Sequence, residues 1–160
     1  MYEFAIDTAA PKADLYRELV RSADALTAGE PDGVANMANV AALLWEYLPD
    51  VNWTGFYRMV DSELVLGPFQ GKAACIRIAL GEGVCGAAAA SGETQLIGDV
   101  QSFPGHIACD VNSASELVVP VKRGGRVIAV IDLDSPSLMR FDGDDAEGIE
   151  AVAALLAERI

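Results

Sequence analysis

The chain has 160 residues, 52% of them apolar and 22% charged, enough to bury about two thirds of its unfolded surface in one compact domain and too few for two of ordinary size. Eleven Lys and Arg against 24 Asp and Glu give a net charge of −13, a surface that repels phosphate backbones and anionic lipid headgroups and so argues against nucleic acid or bare membrane as a partner. Three cysteines cannot all pair, and a chain this apolar needs no disulfide framework, which points to a reducing compartment.

The opening stretch MYEFAIDTAAPK carries Glu3 and Asp7 where a secretory signal would carry Lys or Arg. No apolar run approaches the roughly 18 residues that span a bilayer, so the expectation is a soluble, cytoplasmic protein. Residues 11–28 start at Pro11, a tolerated first helical residue, and place Leu15, Leu19, Ala23 and Leu26 on one face, which predicts a helix. The breaker 28–33 follows. Val34, Met37, Val40, Ala41, Leu44, Trp45 and Leu48 then predict a second amphipathic helix over 33–48, stopped by Pro49.

From Asn52 the spacing shortens to runs rich in Val, Ile, Phe and Tyr, and 52–59, 63–67 and 75–79 read as strands. Gly81 to Gly86 read as a glycine loop entering a short helix that ends at Gly92, and 94–97 as a short strand. Residues 98–115 have no sustained period and are expected to form a long loop, a place where function often sits. Residues 116–121 and 126–134 flank Gly124-Gly125 as a hairpin, and Asp142 should cap a last helix over 143–159. This order implies an α+β fold with a mostly antiparallel sheet, helices packed on one face and a loop-built pocket on the other.

Free cysteines are ordinarily small buried hydrophobes, a reading that suits Cys75 at the opening of a strand best. Cys85 and Cys109 lie beside glycines or in a loop, where backbone amides and access favour a thiolate. A zinc reading of Cys75, Cys85, His106 and Cys109 lacks the short paired spacings that make such sites specific, and His106, the single histidine, serves equally well as a loop imidazole bonded to a carbonyl. No metal is expected.

Strand alternation puts Ile128, Val130, Asp132 and Asp134 on one side of their strand and Val127, Ala129, Ile131 and Leu133 on the other. Acids at a strand end are ordinarily solvated, but one of a close pair can have its pKa raised by the other. Glu116 begins the partner strand. A two-residue turn with regular pairing sets it opposite Leu133, on the wrong face. If the three acids act together, a three-residue loop or a bulge must be present. Trp53, Gly55 and Tyr57 share a face, and Gly55 between two rings leaves a gap that a small ligand could fill.

Six segments in order, NWTGFY, LVLGPFQGKAACIRI, GVCG, FPGHIACD, SELVVPV and DLDSPS, resemble the free methionine-(R)-sulfoxide reductases, built on a GAF domain. The resemblance covers about 33–160 as a GAF core, after an N-terminal helix region at 1–32, in a single domain. It implies reduction of free L-methionine-(R)-sulfoxide, with Cys109 as the attacking cysteine, Cys75 as the resolving one and Cys85 a third of less settled role. It further implies that Glu116, Asp132 and Asp134 hold the substrate, that Trp53 and Tyr57 line its side-chain end, that no cofactor is bound, and that thioredoxin, fed by NADPH, re-reduces the enzyme. Members of that family are commonly homodimers. The rival reading is a GAF domain that senses a small molecule without catalysis, which fold alone does not separate from an enzyme. A structural zinc module would instead unfold on chelation.

Overall fold

The computed structural model describes residues 8–105 and 112–160. Helices α1 (Lys12–Thr27) and α2 (Gly33–Tyr47) precede strands β1 (Trp53–Val60), β2 (Glu63–Gly71) and β3 (Arg77–Ala79). Helix α3 (Gly83–Ser91), strand β4 (Gln95–Ile97), a 3-10 turn at Val100–Ser102, strands β5 (Ser115–Arg123) and β6 (Arg126–Ser135) and helix α4 (Gly143–Leu156) complete the chain. The six strands form one antiparallel sheet in the order β3-β2-β1-β6-β5-β4.

The two periods of the sequence decide which side of the sheet each element covers. Inward stripes of α1, α2 and α4, among them Leu19, Val40, Leu44, Ile149 and Leu156, meet Phe56, Leu117, Ile131 and Leu133 on one face. Trp53, Tyr57, Val118 and Val130 point to the opposite face, where α3 brings Val84, Cys85 and Ala88 down onto them. Because the strands alternate, Phe56 and its neighbour Tyr57 belong to different cores.

Local chemistry sets the ends. Asp32 caps α2 by accepting from the backbone N–H groups of Val34 and Ala35, both at 2.9 Å. Asp142 and Asp145 form a capping box at the start of α4, which ends at Leu156 rather than at 159. Strand β2 runs to Gly71 rather than 67. Gly67 and Pro68, which read as a break, instead form a bulge opposite Phe56, since Gly55 pairs with Phe69 and Tyr57 with Leu66. Cys75 does not open a strand; it sits in the connection between Gly71 and Arg77.

Asp145 is buried and ties α1 to α4. The Tyr16 hydroxyl donates to it at 2.7 Å, Lys12 Nζ at 2.6 Å and the Asp142 backbone N–H at 2.9 Å, with Arg140 at 3.4 Å. Removing the acid leaves the buried Tyr16 hydroxyl without its acceptor and Arg140 without its carboxylate, while Lys12 keeps Asp142 at 2.7 Å. Asp145→Ala is therefore expected to lower unfolding stability by about 3–5 kcal/mol, read as an earlier urea midpoint at unchanged m value.

Candidate functional site

The acids come together through one extra residue. Arg123 pairs with Arg126 across a two-residue Gly124-Gly125 turn, and Lys122 pairs with Val127, but Val121 then pairs with Ala129, leaving Ile128 as a bulge in β6. That slip carries Glu116 from Leu133 to Asp134 and onto the carboxylate face. The bulge also overturns strict alternation near the turn: Ile128 packs with the helix-face core and Val127 with the opposite one. Both turn residues have positive φ, 57° and 78°, which glycine adopts without strain.

Pairing with β1 finishes the floor. Trp53, Asp134 and Glu116 lie in one row across β1, β6 and β5, and Gly55, Asp132 and Val118 in the next. The room expected above Gly55 is already taken: a methyl group there would meet the Trp53 ring edge at 2.8 Å and run into Phe69. Trp53 stacks between Phe69, at 5.1 Å, and Tyr57, at 5.9 Å. The same two aromatic residues hold the segment above them. Trp53 Nε1 donates to the Lys72 carbonyl and the Tyr57 hydroxyl to the Cys75 carbonyl, each at 3.0 Å.

Helix α3 places Cys85 over this floor. Its sulfur and oxygens of Glu116 and Asp132 all lie within 4.8 Å of one another, and each of the three residues is buried. Cys85 was expected to be accessible and thiolate-prone, and the opposite is found. Burial, then the charges of Asp132 and Glu116, push its pKa up, and it donates a hydrogen bond to Asp132 as a neutral thiol. Burial raises the Asp132 pKa to about 7 despite the Cys85 hydrogen bond, and burial together with Asp132 and Asp134 raises that of Glu116 well above the usual carboxylate range. The cluster therefore keeps a proton at neutral pH. Asp132 Oδ1 is buried with no hydrogen-bond partner among the described residues.

Between Asp132 and Asp134 on one side and Trp53, Tyr57, Lys72, Ala73 and Ala74 on the other lies a cavity of about 20 Å³. That is room for about one water. Cys75 lies just beyond residues 72–74, half-buried. Cys109, expected to attack, and His106 lie outside the described residues. Among the described residues, the thiol and acids close enough to ligate a metal are Cys85, Glu116 and Asp132, a different grouping from the Cys₃His set considered above.

The spacing arguments missed the contact of Cys85 with Asp132 and the part played by 72–74. The run of small residues from Gly83 to Ala90 carried a usable signal for the first, because only a helix with small side chains settles so closely on a sheet.

Residues 35–160 match the GAF domain family. The chain is 49% identical to the free methionine-R-sulfoxide reductase of Escherichia coli over 91% of this chain and 88% of that one. It is 42% identical to the enzyme of the same name from Saccharomyces cerevisiae, over 91% and 85%. The structure of the Neisseria meningitidis free methionine-R-sulfoxide reductase in complex with its substrate superposes with a TM-score of 0.94 at 47% identity, covering 99% of this chain and 95% of that one. With its acids, aromatics and thiol arranged on a sheet of this topology, the chain belongs to the free methionine-R-sulfoxide reductase family of GAF-domain proteins.

Proposed function

We propose that this protein reduces free L-methionine-(R)-sulfoxide to L-methionine in a thiol cycle. The Cys109 thiolate attacks the sulfoxide sulfur, and the departing oxygen takes a proton from the Glu116–Asp132 pair. The protonated oxygen then passes from the methionine sulfur to the Cys109 sulfur as the bond between the two sulfurs breaks, releasing methionine and leaving Cys109 as a sulfenic acid. The Cys75 thiol condenses with it, forming a disulfide and water. A thioredoxin dithiol opens that disulfide by exchange, with two electrons drawn from NADPH. No bound cofactor takes part, and a reducing compartment such as the cytoplasm suits the three thiols. No helix among the described residues is long and apolar enough to cross a membrane.

The observation that carries the reading is the buried acid cluster facing two aromatic rings. Asp132 with a pKa of about 7 can donate to the sulfoxide oxygen, while Trp53 and Tyr57 offer an apolar surface for the S-methyl end. Asp134 and the remaining charge of the set favour an ammonium group, which a methionine inside a polypeptide lacks, so free amino acid is preferred. The three acids titrate as one set, and their proton belongs to the set.

The test is NADPH oxidation coupled through thioredoxin reductase and thioredoxin. Consumption is expected with the R epimer of free methionine sulfoxide and not with the S epimer or with an N-acetylated peptide carrying methionine sulfoxide. No consumption with the free R epimer at micromolar enzyme would sink the proposal.

A further inference from the structure

A free amino acid is a zwitterion, and the acidic floor answers only half of it. Glu116, Asp132 and Asp134 attract an ammonium group and repel the carboxylate attached one carbon away. Selection of an α-amino acid over a plain amine therefore needs a donor or a positive charge on the same cavity.

Among the cavity-lining residues one side chain is cationic, Lys72. Its place is fixed by the aromatic that floors the cavity: Gly71 pairs with Trp53 at the end of β2, and Trp53 Nε1 holds the Lys72 carbonyl at 3.0 Å. Trp53 in turn pairs with Asp134 and Asp134 with Glu116. At about 4.8 Å per strand, the backbone of Gly71 stands about 10 Å from Asp134 across the sheet. The four-carbon stem of a lysine and the side chain of an aspartate bridge most of that span, and both residues meet the same small space. A carboxylate between them would face the ammonium of Lys72 while its amino group faces Asp134.

We propose that Lys72 receives the carboxylate of the free amino acid, so that the site reads both ends of the zwitterion: acids of β5 and β6 for the ammonium, Lys72 for the carboxylate. This rests on the reductase reading for the identity of the amino acid, though not for the charge logic. Lys72 is exposed to solvent, so its contribution falls at the low end for a charge-assisted hydrogen bond, roughly tenfold in affinity.

Calorimetric binding and steady-state kinetics of the whole protein, wild type, Lys72→Met and Lys72→Arg, separate the alternatives. The probes are L-methionine-(R)-sulfoxide and 3-(methylsulfinyl)propylamine, which keeps the ammonium and side chain but has no carboxylate. Lys72→Met is expected to weaken the amino acid about tenfold and leave the amine unchanged, with Lys72→Arg restoring most of the loss. Equal weakening of both probes would mean that Lys72 only positions its segment and would overturn the assignment, as would no weakening of either. Wild-type protein that binds the amino acid without turning it over would defeat the reductase reading while leaving the Lys72 comparison decisive. Wild type that binds neither probe would overturn both.

Discussion

Cys109→Ser is expected to abolish turnover, with a loss of at least about 10³-fold in the thioredoxin-coupled assay. A serine hydroxyl does not ionise near neutrality and forms no counterpart of a sulfenic acid, so both the attack and the storage of oxygen disappear. The remaining thiols do not replace it. Cys85 is a buried, neutral thiol bonded to Asp132, and ionising it would add a third negative charge to two crowded carboxyl groups. Cys75 is half-buried in the connection that follows the cavity-lining residues 72–74, and it is the thiol proposed to resolve the sulfenic acid. Cys75→Ser should accordingly retain the first step and release about one methionine per chain before stalling. Mass mapping of wild type after a single turnover should find a Cys75–Cys109 disulfide. Finding Cys85–Cys109 alone would reassign the resolving role to Cys85 and require α3 to lift from the sheet.

Asp132→Asn carries the second large effect, and it moves activity and stability in opposite directions. An amide cannot supply an acidic proton, so kcat should fall by about 10²–10⁴-fold if Asp132 shares in protonating the sulfoxide oxygen. The stability effect follows from linkage. The Asp132 pKa is about 7 in the folded protein and near 3.8 when unfolded, so between those values the native state binds more protons than the unfolded chain. Stability therefore falls as pH rises from about 4 to about 7, and the loss is complete above 7. The Asn variant removes that slope. Its melting midpoint should exceed that of wild type at pH 8 and match it near pH 4, by roughly 2–4 °C for each kcal/mol recovered. For the same reason wild-type kcat should decline above pH 7 as the set surrenders its proton. A variant that lost activity with no gain in stability at pH 8 would contradict a strained, desolvated carboxyl at this position.

The fold was largely legible because its signals are local. Asp32 and Asp142 before apolar stripes announce helix starts, and Gly124-Gly125 between two Val-rich runs announces a hairpin, so α2, α4 and the β5–β6 pair lie close to their expected ranges. Gly67-Pro68 misled because a bulge tolerates in mid-strand the residues that elsewhere end one. The union of Glu116 with Asp132 and Asp134 was legible only as a condition. Counting residues shows that a bulge is required, but which residue bulges depends on packing, here Ile128 joining the helix-side core. Contacts between elements far apart in sequence were the least readable. Nothing in the spacing of Cys85 and Asp132 tells that α3 lies over β6, and that contact contributes to the burial that raises both pKa values.

The closeness of α3 to the sheet has a consequence for how this site can drift in evolution. Gly86 rests on Ala79, where even a methyl group would collide with the carbonyl oxygen, and its own carbonyl accepts the Gly81 N–H at 2.8 Å. A side chain there would wedge the helix away from β3 by about its own thickness, and Cys85, one residue earlier, would rise with it. The thiol would then part from Asp132 and water would reach the carboxyl groups, relaxing their pKa values toward those of ordinary acids. The core on the other face would feel nothing. One methyl group that touches no substrate would thus part the thiol from the acids while leaving the fold in place, a short mutational distance between two different sites on one scaffold.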